Sequence, residues 1–515
     1  MRTLAALSLA LLLVLAGCSA PFLGGQANNG STSSPTGGGA TAMATAVANT
    51  PGNTAGTTGT TVSTEGTPAR HLTDPPQDVL GWEGGLWYNE SISVSAGNGL
   101  NASEQGLVVN RTMARIETIR RLEFTEPVPV DVISRGEFQR RPSGISQKHS
   151  AAFRTFDNAK FEAMFLVGEN ENSLAVQESN RGQNVLGYYS PQKNSIVVIS
   201  PSGTPKLTRS TLSHELVHAL QDQQFNLSSH VPRTREAANA RNGLVEGGAN
   251  YVQHRYGTRC NTDWRCIHVS QNRSDSPADF NIGVYILSFF PYADGPQFVD
   301  YFYDHEGWAG VNDLYENPPA STEQVIHPRK YGRDFPTNVT LRDTSSNGWT
   351  RVRPDTRPDY AVLGQSALST MFAYTLYDDY NTRMDQRNGS SVIAPTAFLN
   401  VGASGVNRAD LFDYDLNYTD GWDGDKMYIY QKNNETGYVW KITWDSRKDA
   451  REFVRGYRKL LAHWGGEHVL GREGVWEIRQ DSPFTDAFRI TRQGNTVTIV
   501  NAPQSEDLND IHAPE

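Results

Sequence analysis

His214-Glu215-Leu216-Val217-His218 is an instance of the pattern H-E-x-x-H. On a helix, residues four apart share one face, so both imidazoles can reach one metal ion. Glu215 follows His214 directly and can hold a water bound to the same ion. Two neutral imidazoles with an adjacent carboxylate form the working end of a zinc hydrolase. The competing reading is two surface histidines beside a solvated Glu, so the flanking residues have to decide. Thr208, Ser210 and Thr211 can each cap a helix start. Leu212, Leu216, Ala219 and Leu220 recur at helical spacing and face a core. His214, His218, Gln221 and Asp222 lie away from that stripe. The spacing predicts a helix that is apolar on one side and metal-competent on the other. Asp222, one turn beyond His218, is either an orienting partner of that imidazole or a solvated acid.

A catalytic zinc takes a third protein ligand and keeps one position open. The metzincin extension needs Gly and His three and six residues after the second His; Gln221 and Gln224 stand there instead. Among downstream acids Glu246 stands out, 28 residues after His218 within Leu-Val-Glu-Gly-Gly-Ala-Asn-Tyr-Val. That separation allows a loop and the start of a second helix, which Ala249, Val252 and Tyr256 continue. Gly247 and Gly248 weaken such a helix by about 1 kcal/mol each relative to Ala. Close approach of two helices beside a ligand would explain tolerating them. The alternative is an ordinary surface Glu near a helix start, where the macrodipole favours it.

HELVHALQDQQF followed by LVEGGANYV resembles the gluzincin-type zinc metallopeptidases, and more narrowly a group of bacterial and haloarchaeal surface zincins. GYYSP at 187–191, IVVI at 196–199, PPASTEQVIHP at 318–328 and GWDGD at 421–425 fit the same resemblance. It covers residues 72–500. It implies His214, His218 and Glu246 as zinc ligands and Glu215 as general base. It also implies an α+β, zincin-like metallopeptidase fold with the active-site helix beneath a small sheet. The chain departs from thermolysin-like enzymes at Asn250, where they carry an Asp that orients a ligand imidazole. An amide there accepts the imidazole proton but leaves the ligand less basic. No G-A-M-E-N stretch occurs, so the resemblance does not extend to the large aminopeptidases.

The 515 residues allow a large core and more than one lobe. Arg2 and an apolar run over 4–15 are too short for a membrane span. The run ends in Leu15-Ala16-Gly17-Cys18, which reads as a lipoprotein signal over 1–17, cleaved before a lipidated Cys18. Residues 18–71 are nearly all small or polar and cannot offset ordering entropy, so they read as a disordered stalk. Both features place the chain outside the cytoplasm, anchored to the cell membrane. Cys260 and Cys266 are then expected to form a disulfide closing a small loop; a metal site with His254 or His268 is the alternative. The formal net charge of −10 argues against nucleic-acid binding. With only ten Lys, the acidic excess looks like adaptation to high salt.

The coarse pattern is mixed. Helices are expected over 105–122 and 153–165, and strands over 128–133, 185–189 and 196–200. Helices dominate 211–380. A ββαββ segment follows, with hairpins around 433–437 and Gly494 flanking a helix over 446–463. The metallopeptidase domain is thus placed at 72–420, the ββαββ part at 421–502 as a separate lobe or the same domain, and a loose acidic tail at 503–515.

These readings converge on a surface-anchored zinc metallopeptidase that cleaves peptide bonds of a peptide or protein substrate. Zn2+ lowers the pKa of its bound water, and Glu215 takes the proton and passes it to the leaving amine. The oxyanion needs a donor beside the metal. His327 is favoured for that role, in a compact polar run with Glu323 four residues before it, the alternative being a structural cap at a helix end; Tyr251 and His254 are further candidates. Tyr188 and Tyr189 either line the cleft or pack as strand aromatics. The alternative function is a non-catalytic surface binding or adhesion protein with a structural or vestigial zinc.

Overall fold

The computed structural model describes residues 43–44, 72–94, 99–141, 149–200, 208–229, 231–260, 262–267, 280–378, 380, 391–402, 405–407, 410–479 and 481–514. The signal, Cys18 and the stalk lie outside these residues, apart from Met43–Ala44. The described chain is α+β.

Helix α1 (Ala102–Arg120) starts at a capping box between Asn101 and Glu104. Its arginines are not a solvated face. Arg115 and Arg120 are buried, with guanidinium carbons 4.8 Å over Trp264 and 4.1 Å over Trp308, so aromatic faces replace water around them. Strand β1 (Val130–Ser134) is followed by α2 (Ala151–Ala163) and α3 (Ser173–Asn184). The hairpin of β2 (Gly187–Ser190) and β3 (Ser195–Ser200) completes a small sheet in which β3 lies between antiparallel β2 and parallel β1. From Ile196 to Ser200 every residue of β3 is buried, which is why it reads as an unbroken apolar run rather than an alternation. Met43–Ala44 adds antiparallel to the outer edge of β2.

Four helices follow: α4 (Arg209–Phe225), α5 (Arg235–Arg259), α6 (Ile282–Glu316) and the short α7 (Thr322–Ile326). Helix α6 is kinked at Gly307, where φ is 64°. The expected disulfide joins Cys260 to Cys266 just past the end of α5. Helix α8 (Gly364–Tyr374) leads toward the second sheet.

That sheet has seven antiparallel strands: β4 (Thr350–Arg351), β5 (Trp422–Lys432), β6 (Glu435–Trp444), β7 (Gly466–His468), β8 (Val475–Ile478), β9 (Ala487–Gln493) and β10 (Thr496–Ala502). Their spatial order is β7-β8-β9-β10-β6-β5-β4. Both expected hairpins are present. The first turns at Asn433-Asn434, with φ of 50° and 68°, the double left-handed geometry that a two-residue hairpin loop needs. Helix α9 (Arg447–His463) packs on the sheet through Phe453, whose ring lies 4.8 Å from that of Trp444.

The structure corrects the C-terminal reading in two places. The ββαββ segment is ββαββββ, because β7 and β8 are too short to show an alternating pattern, and β4 joins the same sheet from before residue 421. The tail is not loose: Leu508 and Ile511 lie on one helical turn, 2% and 0% exposed, in a small core with Val439 and Val500. One larger core runs without interruption from Leu100 to Ile499.

Helices α5 and α6 meet at bare backbone. A Cβ on Gly247 would lie 2.3 Å from the Gly295 carbonyl carbon and oxygen, and one on Gly295 would lie 2.3 Å from the Gly243 carbonyl oxygen. Backbone cannot swing aside as a flexible side chain can. Gly247→Ala is therefore expected to cost about 3 kcal/mol of folding free energy. Chemical denaturation monitored by far-UV circular dichroism checks this, and a loss within 0.5 kcal/mol, roughly the scatter of surface substitutions, would contradict the contact.

Candidate metal centre

Thr208 caps α4 by accepting the Thr211 N–H. Two turns on, His214, Glu215 and His218 are all 0% exposed. The expected two-faced helix is instead buried on every side between Thr211 and Gln221, because the small sheet covers one flank and α5 the other. Helix α5 begins at Arg235 behind its Thr234 cap, well before Glu246, so this residue sits in mid-helix rather than near a helix start. The macrodipole reading of Glu246 is thereby removed.

The three proposed ligands converge. Glu246 Oε2 lies 3.2 Å from His214 Nε2 and 3.1 Å from His218 Nε2, and the two Nε2 atoms are 3.0 Å apart. A tetrahedral zinc with bonds of roughly 2.0–2.1 Å spaces its ligand atoms about 3.3 Å apart. The donor set and its spacing therefore fit that ion.

The far side of each imidazole is held by an amide. Gln221 donates both its amide hydrogens, to the Val245 carbonyl at 2.9 Å and the Tyr315 hydroxyl at 2.8 Å. Its Oε1 is thus fixed as the acceptor for His218 Nδ1, 2.9 Å away. Gln253 Oε1 faces His214 Nδ1 at 3.1 Å. With the proton on Nδ1 in both rings, both Nε2 lone pairs point at the ligand site. Gly248 makes room for this arrangement: a Cβ there would sit 2.7 Å from the Tyr315 hydroxyl and 2.9 Å from Gln221 Nε2.

The electrostatics describe the protein before an ion enters. Burial works against the charge on Glu246, but His218 and His214 outweigh it and hold the carboxyl down to about 2. Burial also opposes the charge on His218, yet Glu246 prevails and pushes it up to about 9. Burial moves His214 down.

Other expected residues are placed differently. Asp222 does not orient His218; it accepts the Tyr189 hydroxyl at 3.0 Å and the Leu227 N–H at 2.9 Å, closing the end of α4. Asn250 Oδ1 is buried and takes no hydrogen bond; the imidazole partner is Gln253. Tyr188 and Tyr189 pack as buried strand aromatics. Tyr251 packs against Tyr303 and Trp308, and His254 is exposed. His327, the favoured oxyanion donor, is half-buried beside Gln365, Asp415 and Asp420. Among the described residues no hydrogen bond or ion pair joins it to the ligand triad.

Three contributors went unread in the sequence. Gln253 was findable, since it lies seven residues, two turns, after Glu246 on the same face of α5. Tyr292 stacks near His214, with ring centroids 6.4 Å apart, and carried no signal. Gly187 of β2 lets the strand press onto α4: a Cβ there would lie 3.2 Å from Glu215 Oε1 and 2.9 Å from Thr211 Cγ2.

Residues 350–512 match the model of a family described as a domain of unknown function (DUF8575). No curated protein and no solved structure matches the chain. The matched stretch covers the seven-stranded sheet and begins C-terminal to the ligand triad.

His214→Ala is expected to abolish zinc binding at this centre at micromolar metal. Gln221→Leu, which keeps all three ligands, should lower zinc affinity about 10- to 100-fold. Equilibrium dialysis with elemental analysis checks both, and unchanged affinity in Gln221→Leu would show that the amide does not set the tautomer.

Proposed function

We propose that the chain is a zinc-dependent hydrolase of peptide bonds with a gluzincin-type site on a zincin-like fold, held outside the cytoplasm by lipid on Cys18. The observation that carries this reading is the convergence of His214, His218 and Glu246 to within 3.2 Å, with Glu215 one residue along the same helix. Zinc held by these three side chains supplies the positive charge that acidifies water and polarises a carbonyl. The residues do the remaining work. Gln221 and Gln253 hold the two rings in register. Glu215 accepts the proton of the attacking water on its carboxylate and delivers it to the leaving amide nitrogen as the C–N bond breaks. Strand β2 lies directly over Glu215 at Gly187, and the extended Met43–Ala44 segment paired on its outer edge shows the strand addition by which a peptide that takes that place would pass beside the carboxylate. Peptides and proteins are accordingly the substrate class, and a net charge of −10 disfavours nucleic acid.

Burial favours one other reading. His214, Glu215 and His218 are 0% exposed and Glu246 is 5% exposed, as expected where a zinc is structural and closed in a surface binding or adhesion protein.

Glu215→Gln separates the two. It removes the proton acceptor and leaves the ligands intact, so the hydrolase reading expects unchanged zinc content with peptide turnover lowered about a thousandfold. The assay is cleavage of a mixed peptide library by zinc-loaded wild type and variant at several salt concentrations. Equal turnover in the two proteins would refute Glu215 as base, and no cleavage by wild type would favour the binding protein.

A further inference from the structure

A second cluster of potential ligands lies where α7 ends. His327 caps that helix through its own N–H, which donates to the Glu323 carbonyl at 2.8 Å. Its Nε2 lies 3.8 Å from Asp415 Oδ1 and 3.9 Å from Asp420 Oδ1. One ligand atom from each of the three residues falls within 4.8 Å of the others. Both Asp residues come from the acidic loop between α8 and β5.

A buried amide adjoins the same place. Gln365, in the first turn of α8, is 0% exposed. Its amide nitrogen lies 3.2 Å from His327 Nε2, and its Oε1 is buried without a hydrogen-bond partner. The two ends of an amide are exchanged by a half-turn of the side chain. That turn would bring the unsatisfied oxygen to face the His327 nitrogen, where a cation between them would use both lone pairs.

The charge balance agrees. The neighbouring triad of Glu323, Asp334 and Asp445 already holds a cation, since Lys330 Nζ lies 2.7, 3.0 and 2.8 Å from its three members. Asp415 and Asp420 ion-pair with no Lys or Arg among the described residues. Behind them, Asp294 of α6 is buried and its Oδ2 also has no partner. Burial first, then Asp413, Asp410 and Asp415, push that carboxyl well above its ordinary range, the response of a buried acid set among other acids.

We propose that His327, Asp415 and Asp420, backed by Gln365, form a second divalent-cation site, distinct from the His214–His218–Glu246 centre. The mixture of one imidazole with carboxylate and amide oxygens suits a first-row ion such as Zn2+ or Mn2+ better than Ca2+, which takes oxygen ligands throughout. Asp415 and Asp420 are half-exposed, with side chains 50% and 58% accessible, so water completes the coordination. The ion would tie the acidic loop to the end of α7 and to the start of α8.

The test is metal stoichiometry of the full chain, stripped of metal and then titrated with Zn2+ and separately with Mn2+ at fixed salt. Wild type is expected to hold two zinc ions per chain at micromolar metal. Asp415→Asn with Asp420→Asn should weaken one of them at least a hundredfold and leave the other, while His214→Ala should do the converse. These two Asp residues are exposed enough that the fold survives, which circular dichroism verifies. Gln365→Leu should weaken the same ion about tenfold. Two ions retained in the double Asp variant, or a second ion that binds wild type only at millimolar metal, would overturn the proposal. Failure of the first centre gives a different result, unchanged stoichiometry in His214→Ala.

Discussion

The ligand triad depends on how closely α5 can be pressed between its neighbours. Glu246 reaches both imidazoles only because α5 lies flat against α4 on one side and α6 on the other. The second contact is backbone on backbone, Gly243 and Gly247 against Gly295. Each of these glycines costs helix propensity, roughly 1 kcal/mol relative to Ala. That cost is offset by a helix separation that no side chain would permit. The same economy recurs at Gly248, where an absent Cβ leaves space for Gln221 and Tyr315, and at Gly187, where it lets β2 settle onto Glu215. Five glycines on three elements thus shape the site without touching an ion.

Around the triad the chain uses amides. Gln221 and Gln253 accept from the two imidazoles where a carboxylate could have stood. An amide fixes the tautomer through geometry but adds no negative charge to the ring, so the imidazoles are weaker donors. The carboxylate hydrogen-bonded to both rings is Glu246 itself. Burial also strengthens every interaction within the cluster, which suits both a reactive centre and a closed one. This is why chemistry at Glu215, rather than metal content, distinguishes the two readings.

The rest of the molecule extends this centre on one side. The small sheet covers α4, and the helical block of α5 to α8 leads into the seven-stranded sheet that carries the family match. The acidic loop preceding β5 returns toward α7, which brings His327 near Asp415 and Asp420 although more than eighty residues separate them in the chain. One continuous core joins these parts.

Sequence alone was enough for what local chemistry dictates. H-E-x-x-H on a capped helix, the apolar runs of β2 and β3, the Asn-Asn turn and the α9 pattern are all short-range signals, and each element lies within a few residues of its expected place. Glu246 could be singled out because two glycines beside it were too costly for an ordinary helix. The boundaries of α5, the strands β7 and β8 and the packed tail were not legible, since they are stabilised by neighbours distant in the chain rather than by their own periodicity. The same holds for the partners of the imidazoles. Asp222 and Asn250 are well spaced along their helices, but the tertiary fold turns Asp222 toward Tyr189 and Leu227 and selects Gln221 and Gln253, because only the crossing of α4 with α5 and α6 decides which polar atoms meet. A helix period shows which residues share a face; what that face meets is set by packing.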